Sequence, residues 1–149
     1  MPLSTHYLTN PQLVVIRYEG HITQSDIIEG FEACLTHPLF VPGMPEFDDL
    51  SRATRIDLDF SAVHDIFRRL NAYYAEHETR VSFYAPSDVA YGMARMYQNL
   101  AETRFGHVVH VSRAANDALQ ALKLGPLRYD ALLAQLPDPE ATTDGPIVR

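Results

Sequence analysis

Four times between Leu13 and Leu122, a short run that reads as a strand gives way to a segment whose apolar residues recur at helical spacing. That alternation constrains the fold more than anything else in the chain. Each helix carries the chain back so that the next strand starts in the same direction, which builds a mostly parallel sheet with right-handed crossovers. The four runs are residues 13–19, 46–50, 80–85 and 107–111. The first holds Leu13-Val14-Val15-Ile16, a continuous apolar stretch that suits a strand covered on both faces. Gly20 is read as its end. Residues 5–8 also favour a strand, and Thr9-Asn10-Pro11 supplies a turn, so the chain is expected to open with a hairpin.

The helices carry their own start and stop signals. Thr23-x-x-Asp26 is a capping box, followed by Ile27, Ile28, Phe31, Cys34 and Leu35 at helical spacing, until Pro38 forces its predecessor out of the helix. The stretch 42–70 reads as a buried strand at 46–50, a polar loop at 51–57 and a helix opening at Asp59. That helix has the stripe Phe60, Val63, Ile66, Phe67, Leu70 and Tyr73 or Tyr74. Ser87 is placed to cap a helix running to about residue 103, and Ser112 a last one with Ala115, Ala118, Leu119 and Leu122 inward. Gly125-Pro126 ends it. Residues 129–136 have the spacing for two more helical turns against the body. Residues 137–149, with Pro137, Pro139, Gly145 and Pro146, are expected to lack order. The expected fold is α/β, a mixed and mostly parallel sheet of about five strands with four helices, in the order β-β-α-β-α-β-α-β-α. Residues 1–124 form the domain and 125–149 a partly disordered C-terminal extension.

Bulk properties exclude several function classes. At 149 residues one domain is expected. A formal net charge of -7 argues against a general nucleic-acid binder and against docking on anionic membrane. The single cysteine, Cys34, lies on an apolar helix side, so it reads as a buried, inert thiol and leaves neither a disulfide nor a cysteine zinc cluster. No basic segment followed by an apolar run opens the chain, and no apolar stretch reaches membrane-span length. A cytoplasmic protein is expected.

Chemistry-bearing residues concentrate around the central strand. Asp48 and Asp49, with Asp57 or Asp59, offer clustered oxygens for a hard cation such as Mg²⁺. The competing reading gives Asp59 to a helix cap, where the macrodipole favours an anion, and Asp49 and Asp57 to turns. Ser51 and Ser61 are candidate phosphoacceptors, against the plainer reading of Ser61 as a helix-start serine. His107 and His110 are three apart on a strand, so they face opposite sides and do not chelate together. Neither a Gly-x-Ser-x-Gly elbow nor a glycine-rich phosphate loop is present. No metal or cofactor is expected. The helix at 88–102 carries two apolar stripes where one suffices to cover a sheet. Tyr91, Met93 and Met96 are therefore candidates for a homodimer contact, unless residues 127–136 pack over them.

This order of elements resembles the STAS family, the sulfate-transporter and anti-sigma-factor-antagonist domain, in its SpoIIAA-like bacterial branch. Phe47-Asp48-Asp49-Leu50-Ser51 is similar to the family's third strand running into its functional loop. Tyr84-Ala85-Pro86-Ser87-Asp88, followed by Ala90-Tyr91-Gly92-Met93-Ala94-Arg95-Met96-Tyr97, resembles a strand–helix junction of those proteins. Val111-Ser112-Arg113-Ala114-Ala115-x-x-Ala118-Leu119 resembles their last strand and terminal helix. The resemblance covers about residues 5–124. It implies a regulatory or interaction module that is not an enzyme, with a regulatory protein or a second copy as partner. In anti-sigma-factor antagonists an Asp-Ser-Ser-Gly-Leu segment opens the helix after the third strand, and its serine is phosphorylated. Here the matching region is Asp57-Leu58-Asp59-Phe60-Ser61, without a Ser-Gly pair, so that switch is expected to be absent. The alternatives are a pocket for an apolar small molecule or lipid, and a Mg²⁺-dependent enzyme built on the aspartates.

Overall fold

The structure, a computed structural model, describes residues 2–104 and 108–137. His107, and all but Pro137 of the segment 137–149 expected to lack order, lie outside those residues. Five strands form one sheet: β1 (Leu3–Thr9), β2 (Gln12–Thr23), β3 (Glu46–Asp57), β4 (Arg80–Tyr84) and β5 (Val108–Ser112). They lie side by side in chain order, β1 antiparallel to β2 and each later pair parallel. The helices are α1 (Gln24–Leu35), α2 (Phe60–Glu76), α3 (Asp88–Arg104), α4 (Ala115–Gln120) and α5 (Tyr129–Gln135). The alternation of strands and helices thus gives the expected sheet, with one more helix than the four expected.

Strand alternation sorts the core into two layers. Val14, Ile16, Leu50, Val81, Phe83 and Val109 face α1, α2 and α3, which all pack on one side. Neighbouring parallel strands joined in sequence by crossovers of one hand require that arrangement. Leu8, Leu13, Val15 and Phe47 face the other side, under Ala118, Leu119 and Leu122 near α4 and Leu132 and Leu136 near α5. Phe47 and Leu132 are fully buried, so α5 covers the centre of the sheet. The alternative in which residues 127–136 pack over α3 is therefore corrected, because α5 sits on the opposite face.

Two sequence expectations about β2 and β3 also fail, for one shared reason. Gly20 does not end its strand, and residues 51–57 are not a loop. Gly20 adopts a positive φ of 72° and the β2–β3 register shifts beside it, so the chain bulges and continues to Thr23. The prolonged β2 gives Arg52–Asp57 a partner, and the two strands extend as a ribbon beyond Asp49↔Tyr84, where the pairing with β4 stops. The caps fare better. Thr23 and Asp26 form the reciprocal capping box, and the Ala90 N–H reaches Ser87 Oγ at 3.1 Å. Ser112 departs slightly: Ala114 is the N-cap of α4, and Ser112 Oγ accepts its N–H at 3.1 Å.

Candidate functional site

The candidate residues fall in three places rather than one. The first is an open polar groove at the carboxyl end of β3, lined by Asp57, Asp59, Ser61, His64, Asp65 and Arg68 among others. Asp59 has extended backbone and its Oδ1 accepts the Ala62 N–H at 2.7 Å, so it is the N-cap of α2. Asp57 Oδ2 lies 2.6 Å from His21 Nε2, and its Oδ1 accepts from Arg55 Nε at 3.2 Å. The His21 hydrogen bond, then Arg55, holds the Asp57 carboxyl below the usual carboxylate range. Deeper in, Asp65 accepts from Gln24 and Arg68, both at 2.6 Å, which ties α1 to α2. Ser61 is exposed in the first turn of α2.

The second place is a clamp on the α4–α5 face. Asp49, 2% exposed, accepts the Tyr129 O–H at 2.6 Å on Oδ2 and the Ser51 N–H at 2.9 Å on Oδ1. Arg17 Nε stands 3.6 Å away, itself buried. Ser51 Oγ lies 3.4 Å from the same Tyr129 hydroxyl. Burial, then the bond to Asp49, pushes the Tyr129 hydroxyl up to about 12. These contacts attach α5 to the central strand.

The third place is inside the α1–α3 face. Consecutive strand residues point to opposite sides, so Asp48 turns away from Asp49 into a cavity of about 90 Å³. Asp48 is 1% exposed; Oδ1 accepts the Tyr18 O–H at 2.7 Å, and Oδ2 finds no donor. Glu46 precedes it by two residues, on the same face, and lines the same cavity. Burial first, then the Glu46 carboxylate and a hydrogen bond to it, raises the Asp48 carboxyl well above its ordinary value.

The Mg²⁺ reading is corrected by this geometry. Asp48 and Asp49 face opposite layers, and Asp57 and Asp59 stand at the far end of the strand. Among the described residues no three His, Cys, Asp or Glu side chains gather in a metal-binding group. On α3, Tyr91 is half-buried with the Arg113 guanidinium 4.4 Å above its ring, and Met93 lines the cavity. Met96 is half-buried and Val89 is 59% exposed. Cys34 is buried, and burial pushes its thiol up to about 12.

Neither a family model nor a curated protein matches this chain. Among solved structures it is similar to an uncharacterized protein of the DUF3478 family from Shewanella loihica PV-4, described as having a SpoIIAA-like fold. The TM-score is 0.52 at 14% sequence identity, over 80% of this chain and 91% of that one. The fold is SpoIIAA-like. That agrees with the resemblance drawn from the strand and helix motifs. No helix among the described residues is long and apolar enough to cross a membrane.

Sequence reasoning missed Tyr18, Glu46, Arg17, His21 and Tyr129. Glu46 and Asp48 had a readable signal: with Leu50 they occupy alternate positions of one strand, so one face of a buried strand carries two acids. Tyr18 needed the register, since Ile16 pairs with Asp48. Tyr129 needed the packing of α5, which no local pattern specifies.

Proposed function

We propose that this chain is a non-enzymatic, STAS-like binding module whose partner surface is the groove at the carboxyl end of β3. In open α/β sheets, ligands and partners meet the protein beyond the carboxyl ends of the strands. The observation that carries this reading is Asp59 fixed as the N-cap of α2. It puts a permanent negative charge at the helix start where the resembling family has a regulatory serine, so the module works without the serine phosphoswitch. The partner is a regulatory protein or a second copy. Self-association through α3 falls to Met96 and the exposed Val89, because Tyr91 and Met93 are engaged within the fold. The test is capture from extract of the native host with the wild-type chain and with the charge-reversed pair Asp57→Lys and Arg68→Glu. A protein held by the first and lost by the second, at unchanged melting temperature, supports the reading. Identical capture by both removes the groove from it.

A second reading has its own observation. The cavity beneath α1–α3 is walled almost entirely by apolar side chains and contains a buried polar atom with no donor. Small-molecule sites have this make-up, an apolar pocket with a few convergent polar groups.

A further inference from the structure

The geometry points to the outer edge of β1 as the seat of a two-fold contact with a second copy of this chain, β1 pairing antiparallel with β1 so that the two sheets become one. This surface stands apart from the groove and from α3. β1 borders the sheet and pairs only with β2 among the described residues. Pro2 O accepts the Glu19 N–H at 2.7 Å, next to the pair Leu3↔Tyr18. Hydrogen-bonded and non-bonded pairs alternate along an antiparallel ladder, so Ser4, His6 and Leu8 turn their N–H and C=O groups to β2. Those of Leu3, Thr5, Tyr7 and Thr9 point outward, and among the described residues no backbone group meets them.

An unpaired edge is a template for another strand, and proteins blunt such edges with short strands, charges, proline or bulges. The other edges here are blunted. β5 is five residues long. Its Val108 N–H donates to Thr79 O and its Ser112 O accepts from Ala85, so Val109 turns outward, and there the Gln98 side chain donates to the Val109 carbonyl at 2.8 Å. Beyond Asp49, β3 carries Arg52, Arg55 and Asp57 and two register shifts against β2. β1 has none of these devices. It is seven residues long, its register with β2 is unbroken, and it holds no Asp, Glu, Lys, Arg or Pro.

Charge and pattern select a second copy as the occupant. With a formal net charge of -7 on each, two copies repel over most of their surfaces. Residues 1–16 hold no Asp, Glu, Lys or Arg, so along this border two such chains meet without like charges. His6 adds none at neutral pH, because burial, then Arg17, pushes its imidazole down to about 4. A basic partner would find no anion here to pair with. A two-fold axis at His6 overlaps the whole strand. The outward groups of Thr5 then meet those of Tyr7, and those of Leu3 meet Thr9, each pair exchanging both hydrogen bonds. Thr opposite Tyr is a β-branched–aromatic pair, which stabilises sheets. His37 stacks on Tyr7 at 4.2 Å, and Leu35, two residues earlier and 37% exposed, gives this edge an apolar flank. Because the two copies run in opposite directions, their β3 grooves lie at opposite ends of the joint sheet and both stay open.

The experiment is sedimentation velocity of the full chain over a dilution series at neutral pH and physiological salt, with amide exchange read by NMR. The expected result is a dimer that dissociates on dilution. The Thr5 and Tyr7 amides should be protected in the dimer and released in the monomer, while those of His6 and Leu8 stay protected in both. Thr5→Pro removes only an outward donor, a change that edge strands tolerate, and should weaken the dimer at least tenfold at unchanged melting temperature. Thr5→Lys, which puts like charges on the two meeting edges, is the second variant, with the same expectation, should the first fold poorly. Met96→Glu on α3 should leave the dimer within twofold. A chain that stays monomeric at high micromolar concentration overturns the proposal. So does a dimer that Met96→Glu breaks and both Thr5 variants spare, which would put the contact on α3. Thr5 and Tyr7 amides as protected in the monomer as in the dimer would mean that another part of this chain covers the edge, and would overturn it too.

Discussion

Asp48 and Asp49 are consecutive residues of one strand, both almost wholly buried, and they live in opposite chemical worlds. Asp49 meets a hydroxyl, a backbone N–H and a guanidinium, so its charge is matched where it sits. Asp48 has one hydroxyl, a second carboxyl beside it and an oxygen facing an apolar cavity. A two-residue period separates them by the full thickness of the sheet. The pair teaches that burial alone does not say what an acid is for. The side chain that closes its hydrogen bonds within the fold is structural, and the one that leaves them open is available to something else.

The largest expected effect is on the matched side. Asp49→Ala strands the buried Arg17 charge and the Tyr129 hydroxyl, and breaking a buried ion pair costs about 3–5 kcal/mol; chemical denaturation measures it. An unchanged midpoint would mean that Arg17 finds another partner and that the contrast is false. Tyr129→Phe removes only the hydroxyl and should cost about 1.5–3 kcal/mol, the range for a hydrogen bond to a charged group. The same variant should loosen α5, read as faster amide exchange in that helix.

On the open side the sign reverses. Asp48→Asn keeps an acceptor for Tyr18 and gives Glu46 a donor, so it should stabilise the protein at pH 7 by about 1–2 kcal/mol, because burying an unmatched acid is unfavourable. Its pH dependence sharpens the point. The folded-state carboxyl is raised above its unfolded value, so the native state binds more protons above about pH 4 and stability falls as pH rises through the folded value. The wild type should therefore lose stability relative to Asp48→Asn over that window, at up to about 1.4 kcal/mol per pH unit. The Glu46 carboxyl shares the field, so the loss spreads over more than one titration. Parallel stability curves for the two proteins would show that Asp48 is ionised in the fold.

The smallest effect is at the surface. Asp59→Ala should cost about 0.5–2 kcal/mol and Asp59→Asn little, because Asn and Asp cap equally well. Thermal melts of the two variants distinguish a cap from a group whose charge itself matters. Loss of partner capture by Asp59→Asn at unchanged stability would give the charge a second role.

The fold was legible because its signals are periodic and local. The β-branched runs, the Thr23–Asp26 box and the Asp59 cap each depend on residues within a turn or two. The stripe with Phe67, now 3% exposed, is equally local. The ribbon was not legible: Ala53 and Ile56, its half-buried positions, are three apart and break the two-residue alternation that marks a strand. Among site residues, Asp59 was readable as a cap for the same local reason. The separation of Asp48 from Asp49 needed only the strand period, yet four nearby aspartates suggested a cluster because sequence distance hides which face each one takes. Tyr129 reaches Asp49 from eighty positions away, and such contacts leave no mark in local pattern.

The clamp between Tyr129 and Asp49 also bears on how the molecule is made. During synthesis β1 to β5 and the first four helices emerge before α5. Until Leu132 is out of the ribosome, Phe47 and Leu13, both fully buried in the finished protein, have only α4 to shelter them. A nascent chain stopped at about residue 124 is therefore expected to hold a formed sheet with one oily side showing. That is the species a chaperone would recognise and a protease would cut.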